Sequence, residues 1–196
     1  MIERKHALRR LLETHSCIDA RETTYQRRML TLLDAVDPFS RGSYLPGHFT
    51  SSAFVLSPDS AHLALIYHSK LQRWLQPGGH FEAQDHDVFS AGLREVEEEI
   101  GTTELSLVHP SLFDLDIHSI PARGNAPEHE HFDLRTLWRA TSWKLRAGSD
   151  ALACRWVALD EVTHQDSDES VMRAVKKLQS RLTAGTAGSY RAVPDP

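Results

Sequence analysis

Apolar positions recur at helical spacing in the first third of the chain. Leu8, Leu11 and Leu12 make a short stripe within Ile2–His15, and Tyr25, Met29, Leu32, Leu33 and Val36 make a second within Asp19–Val36. Two N-terminal helices are expected, the second stopped by Asp37-Pro38. Phe39–Gly47, with two glycines and Pro46, reads as a linker. The text then turns strand-like. Phe49–Leu56 and His62–Tyr67 flank the turn Ser57-Pro58-Asp59-Ser60 and read as a hairpin, with Trp74-Leu75 as a short third strand broken by Pro77-Gly78-Gly79.

Val88–Ile100 carries the clearest helical stripe, Phe89, Leu93, Val96 and Ile100, and Gly101 is placed to stop it. Strands are expected at Leu105–Val108, Leu112–His118, Glu130–Ala140 and Ala153–Leu159, with a loop over Ser119–His129. Asp166, with Glu169 three residues on, has the spacing of a capping box for a last helix striped by Val171, Val175, Leu178 and Leu182. The alternation of strands and helices makes the class mixed α/β or α+β. The organisation expected is an N-terminal helical extension over 1–40, one domain over 45–182 and a disordered Gly/Ala/Pro-rich tail over 183–196.

Composition narrows the classes. With 196 residues, 40% hydrophobic and 25% charged, the chain can bury a sizeable core and is neither fibrous nor wholly disordered. No apolar run reaches the roughly 20 residues of a membrane-spanning helix, and the charged Met1–Arg10 is not a secretory signal. Cys17 and Cys154, the only cysteines, suggest a reducing compartment, so the cytoplasm is the expected location. The net charge of −5 is unevenly spread: Gly79–Glu104 holds eight acidic residues and one basic one, Arg94. Such a segment disfavours a nucleic-acid backbone as partner and admits either a solvated face or a cation site.

Spacing separates those two. On a helical wheel with Phe89 at zero, the apolar residues lie within about 40°, while Glu95, Glu98 and Glu99 lie near ~240°, ~180° and ~280°, and Glu97 stands apart near ~80°. Three carboxylates thus share one face away from the stripe. Carboxylates so close repel one another, and a hard divalent ion such as Mg²⁺ or Mn²⁺, which prefers oxygen ligands, removes that repulsion. Gly78 and Gly79, just ahead of the helix, let the backbone pass close to such an ion.

Read together, Gly79-His80-Phe81-Glu82-Ala83-Gln84-Asp85 and Leu93-Arg94-Glu95-Val96-Glu97-Glu98-Glu99-Ile100-Gly101 resemble the signature box of the Nudix hydrolases. The second half matches in full from Arg94 to Gly101. In the first half the expected Glu is replaced by Asp85 or Asp87, and the loop is one residue longer. With Leu75-Gln76-Pro77-Gly78-Gly79-His80, Asp116-Ile117-His118 and His131-Phe132-Asp133-Leu134-Arg135, the whole chain looks like a bacterial Nudix subgroup of unassigned substrate.

The resemblance implies an α/β/α sandwich with a mixed sheet. It also implies hydrolysis of a nucleoside diphosphate linked to another moiety, a small-molecule diphosphate substrate, and Mg²⁺ or Mn²⁺ held by Glu95, Glu98, Glu99 and the Gly78 carbonyl. Glu95 is then both ligand and water-orienting base, and Arg94 braces the loop carboxylate. His129, His131 and Asp133 alternate onto one strand face near His118. Either His118, His131 and Asp133 contact substrate or the face is a hydrogen-bonded one. Glu128 and Glu130 are candidate extra ligands, and Trp74 and Tyr44 either stack on a base or pack in the core. Two other activities compete: a Nudix-fold module that senses a nucleotide without cleaving it, and an isoprenoid diphosphate isomerase, which needs a positioned Cys. The N-terminal helices suit a homodimer arm, a lid or plain packing.

Overall fold

The structure is a computed structural model that describes residues 1–148, 151–162 and 167–185. Two helices, α1 (Ile2–Glu13) and α2 (Ala20–Leu32), precede strands β1 (Gly47–Leu56), β2 (His62–His68), β3 (Arg73–Leu75) and β4 (Gly78–His80). Helix α3 (Val88–Ile100) leads to β5 (Leu105–Leu107), β6 (Asp114–Ile120), β7 (His129–Ala140) and β8 (Ala151–Ala158), and α4 (Glu169–Gly185) closes the fold. The strands form one eight-stranded sheet in the order β3-β2-β1-β7-β5; β4 pairs with β1, β6 with β7 and β8 with β2. The sheet is mixed. β1 and β7 run parallel in unbroken register from Gly47 opposite Glu130 to Leu56 opposite Arg139, and the other pairings are antiparallel.

Both faces of β1 are covered, as its fully buried sequence requires. On one face Phe49, Phe132 and Leu134 meet α1, α2 and the start of α3, and Ala53, Val55 and Trp138 meet Val96 and Ile100 further along α3. On the other, Phe54, Leu56, Leu65 and Leu137 pack against Val171, Val175 and Leu178 of α4. The result is the expected α/β/α sandwich. The N-terminal helices belong to the same core: Leu12 and Met29 are fully buried beside Phe49, Phe81 and Leu115.

Several boundaries differ from the sequence expectation. Helix α2 stops at Leu32, and Val36 is 92% exposed rather than part of the buried stripe. Pro77-Gly78-Gly79 does not simply break the chain, because Gly78–His80 forms β4 with Ser52, Ser51 and Thr50 as partners. β6 begins two residues later than the apolar run: Leu112 and Phe113 are buried ahead of it. The hairpin expected from β1 and β2 is joined at Leu56 and Leu63, but β2 pairs mainly with β8. Asp166 lies outside the described residues; Asp168 accepts a hydrogen bond from the Val171 N–H in the first turn of α4. The helix runs on through Gly185, past the expected start of the tail, and 186–196 lie outside the described residues.

One buried ionic group ties α2 to α4. The Glu22 carboxylate, fully buried, receives hydrogen bonds from His15 Nε2 at 2.7 Å, the Ile18 N–H at 2.8 Å and Lys177 Nζ. Burial pushes Glu22 up, but the bonds from His15, Lys177 and Ile18 overcome it and hold the carboxyl down from its ordinary 4.5 to about 2. A folded-state value below the unfolded one stabilises the fold above about pH 4.5, and that contribution is lost as pH falls toward about 2. Denaturant melts between pH 7 and pH 2.5 should show this slope, and Glu22→Gln should flatten it in that window.

Candidate active site

Helix α3 positions the acidic site. Asp87 caps its N-terminus, accepting from the Ser90 N–H at 2.8 Å while Ser90 Oγ accepts from the Asp87 N–H at 3.0 Å. Gly101 ends the helix at φ +65°, a left-handed conformation that glycine adopts without strain. Between these caps the apolar stripe faces the sheet, and Gly92 lies against Ser51 and Thr136, which draws the helix close to β1 and β7.

Arg94 is the hub of the site. Its guanidinium donates to Asp85 through Nε at 3.1 Å and Nη2 at 3.0 Å, a bidentate pair. It also donates to Glu95 Oε1 at 2.9 Å, Glu98 Oε2 at 3.2 Å and the His80 carbonyl at 2.7 Å. Asp85, only 3% exposed, accepts a further bond from the Glu82 N–H at 2.7 Å. The choice between Asp85 and Asp87 is thereby settled. Asp85 takes the loop carboxylate's place and Asp87 caps the helix, so the extra loop residue separates two jobs. Helix α1 reinforces the loop: Arg4 donates to the Asp85 and Glu82 carbonyls and lies over the Phe81 ring at 5.6 Å.

The three helix carboxylates differ in setting. Glu98 is the most exposed, Glu95 is largely buried, and Glu99 is buried rather than clear of the packed face. Glu99 Oε2 accepts from the Gly78 N–H at 3.0 Å, which fixes that peptide at the edge of the cluster. A Cβ on Gly79 would come within 2.5 Å of Glu95 Oε1, so glycine there is what lets the carboxylate lie against β4. Glu97 is exposed on the far side. Burial raises the Glu95 pKa; Arg94 opposes the shift, and Glu98 and Asp85 add to it. The donor set of Glu95, Glu98, Glu99 and the Gly78 carbonyl is all oxygen and carries excess negative charge, which fits a hard divalent ion.

The other sequence candidates sort by the alternation of β7. His129, His131 and Asp133 do share a face with His118 of β6, which pairs with His131. Asp133 does not offer the substrate contact expected of it. It is 2% exposed, and its carboxylate is taken by Arg135 Nε at 2.9 Å, Ser52 Oγ at 2.8 Å and Thr50 Oγ at 3.1 Å. Glu130 points to the opposite face and pairs with Arg28. Trp74 has Arg155 over its ring at 4.0 Å and Tyr67 at 5.3 Å, while Tyr44 stands edge-on to His129 at 5.0 Å. Burial and then repulsion from nearby cationic and imidazole groups push His80 down to about 4 and His131 to about 2, and burial lowers His48 too. Burial pulls His118 down most strongly, but its bond to Asp116 at 3.1 Å together with the negative charges of Asp133 and Asp116 outweighs it and raises the ring's pKa.

Two residues of this face, His48 and His80, were not singled out as site candidates by the sequence pattern. Their rings stand 5.1 Å apart, and each lies within about 5 Å of His131, at 4.9 and 5.0 Å. The signal existed in β1, where His48, Thr50 and Ser52 alternate with Phe49, Ser51 and Ala53, but its meaning needs the parallel pairing that puts His48 beside His131.

The family model described as the NUDIX domain matches residues 46–178. The chain belongs to the Nudix family. It is a hydrolase of the Nudix type, a family whose general reaction is hydrolysis of nucleoside diphosphate-linked compounds. The Nudix domain is similar in fold to a NUDIX-family hydrolase from Clostridium perfringens, with 23% identity, a TM-score of 0.52, and 68% of this chain and 97% of that one covered. It is likewise similar to a C. elegans Ap4A hydrolase in a binary complex, at 15% identity and TM-score 0.52, covering 69% and 98%. A MutT protein from Methanosarcina mazei Go1 aligns at 13% identity and TM-score 0.52, covering 68% and 94%. A search of the curated proteins returns no match. The Nudix match begins at residue 46, so α1 and α2 lie outside it.

Proposed function

We propose that this chain hydrolyses a diphosphate bond in a small nucleoside diphosphate-linked compound by attack of water, with Mg²⁺ or Mn²⁺ bound by Glu95, Glu98, Glu99 and the Gly78 carbonyl. The observation that carries this reading is the complete Asp85–Arg94–Glu95 brace, which holds the acidic face of α3 against β4. Such ions, when bound, neutralise the diphosphate and lower the pKa of a coordinated water. The chain's own part is positioning. Glu95 accepts the proton of the attacking water or orients it from the floor of the site. Arg94 holds Glu95 in place, and Gly79 leaves room for it. Phosphoryl transfer needs placement and charge neutralisation rather than a protein nucleophile, which suits a site built from carboxylates and backbone. His118 and His131 lie on the other face of the sheet and are the further groups proposed to meet a substrate that extends past the edge strand β4.

The one irregularity of the box that would favour the sensing alternative is the altered loop, and there Asp85 binds Arg94 in place of the expected Glu. Cys154, on β8 opposite Ile66, and Cys17, near Glu22, give the isomerase reading no thiol on α3 or β4. The test is a turnover screen against nucleoside diphosphate sugars, dinucleoside polyphosphates and nucleoside triphosphates with Mg²⁺ and with Mn²⁺. We expect metal-dependent release of a phosphorylated product from at least one class. The same compounds with metal should raise the melting temperature, since a ligand that binds only the folded state stabilises it by mass action. Binding without turnover across the panel favours the sensor; neither binding nor turnover refutes both.

A further inference from the structure

A second cluster of ligand-type side chains stands on the same strand β4 but on the sheet face opposite α3. Candidate ligand atoms of His48, His80 and His131 all lie within 4.8 Å of one another. Three strands contribute one histidine each: His48 from the start of β1, His131 from its parallel partner position on β7, and His80 from β4, opposite Thr50. His129 adds a fourth ring, 5.2 Å from His48 and 5.4 Å from His131.

The orientation of His48 is the second, independent observation. Its ring is fully buried, and Nδ1 donates to the Ser43 carbonyl at 3.0 Å. That bond fixes the tautomer and leaves a lone pair on Nε2. Nε2 is buried and has no hydrogen-bond partner among the described residues. An orphaned buried acceptor is costly unless something completes it. A histidine whose outer nitrogen is tied to a carbonyl while the inner one faces other imidazoles is how metal-binding histidines are held. His129 repeats the device, with Nδ1 bonded to the Pro127 carbonyl at 2.8 Å.

We propose that His48, His80 and His131 form a binding site for a divalent transition metal of the imidazole-preferring class, separate from the carboxylate site on α3. Zinc and cobalt accept neutral imidazole nitrogens at about 2.0–2.1 Å, whereas Mg²⁺ prefers oxygen. Nitrogens so ligated to one tetrahedral ion stand about 3.4 Å apart, so the rings need only close inward slightly. Three ligands leave a coordination position for water or for an anionic oxygen of a bound molecule. His118 is bonded to Asp116 and does not belong to the set whose ligand atoms all lie within 4.8 Å of one another. Arg41 is the competing group: its guanidinium contacts His80 Nδ1 at 3.3 Å, and that contact must give way whichever nitrogen of His80 binds. Arg41 is exposed, so swinging it into solvent costs little.

The experiment uses the full-length chain, stripped with a chelator and titrated with Co²⁺, whose visible absorption reports nitrogen ligation. We expect one equivalent to bind with such bands in the presence of excess Mg²⁺. His80→Gln and His131→Gln should each weaken binding on the order of tenfold to a hundredfold or more. Glu98→Gln should leave the bands unchanged, and Arg41→Ala should tighten binding. A parallel measurement needs no variant and so does not depend on one folding: paramagnetic shifts of histidine ring protons in the wild-type NMR spectrum on adding the first equivalent of Co²⁺. Displacement by Mg²⁺, loss of the bands in Glu98→Gln, or unshifted histidine signals overturns the site. None of these outcomes depends on hydrolysis, so the hydrolytic reading can fail without it.

Discussion

Glu98→Gln should lower hydrolytic turnover on the order of a hundredfold or more while leaving the melting temperature nearly unchanged. The argument rests on the contrast between Glu98 and its neighbours. Its side chain is 55% exposed and, among the described residues, bonds only to Arg94, at 3.2 Å, so the fold does not depend on it. The acidic face does. The amide keeps the shape but removes one of the charges that draw a divalent ion to α3. The loss should be steepest at limiting Mg²⁺ and partly relieved at saturation, because weaker binding is overcome by mass action while a misplaced ion is not. Glu97→Gln removes the same charge from the same helix on its exposed far side and should change turnover little. Near-normal activity of Glu98→Gln at limiting Mg²⁺ would remove this residue from the metal site. Equal losses in both variants would mean that bulk charge, not ligation, is at work.

The site was legible in the sequence wherever its residues lie on one element. Helix α3 spans the expected Val88–Ile100, and a wheel suffices to separate Glu97 from the other three carboxylates, since all the angles come from one rigid period. What the wheel hides is depth. Glu99 lies at the margin of the apolar stripe, and it is buried where other elements close over it, its carboxylate accepting from the Gly78 N–H. β4 was hidden for a related reason: two glycines and a histidine carry no strand pattern, and their pairing with β1 is made by backbone groups.

Long-range pairing accounts for the larger omissions. Nothing near His48 in the chain says that it will face His131, eighty-three positions on; the parallel β1–β7 register does. The buried charges were illegible for a different reason. Arg135, 1% exposed, meets Asp114 at 3.2 Å and Asp133 at 2.9 Å, and Arg173 and Lys177 reach Asp114 from α4. Sequence reasoning places such residues at the surface, because each alone is too costly to bury. They are buried here as a set, each neutralised by partners on other elements.

Asp85→Ala should lower activity about tenfold or more, and Asp87→Ala should not, although both remove an aspartate from the same short loop. Asp85 receives Nε and Nη2 of Arg94 and the Glu82 N–H, so its loss removes the bidentate anchor of the guanidinium that holds Glu95; loss of such outer contacts around a metal site costs about 10–100-fold. Asp87 serves the helix end, and its removal should cost about 1 kcal/mol of stability with the brace intact. Arg94→Ala should match Asp85→Ala in activity but be less stable, because it leaves Asp85, 3% exposed, as a buried charge without its cation. The reverse deletion leaves Arg94 with Glu95, Glu98 and the His80 carbonyl. The double variant should therefore regain stability relative to Arg94→Ala and lose less activity than the two single losses combined, the non-additivity of partners in one contact. Kinetics and melts on the four proteins decide it. Strict additivity, or a silent Asp85→Ala beside an inactive Arg94→Ala, would mean that Arg94 acts through Glu95 and Glu98 alone and that the loop carboxylate is dispensable.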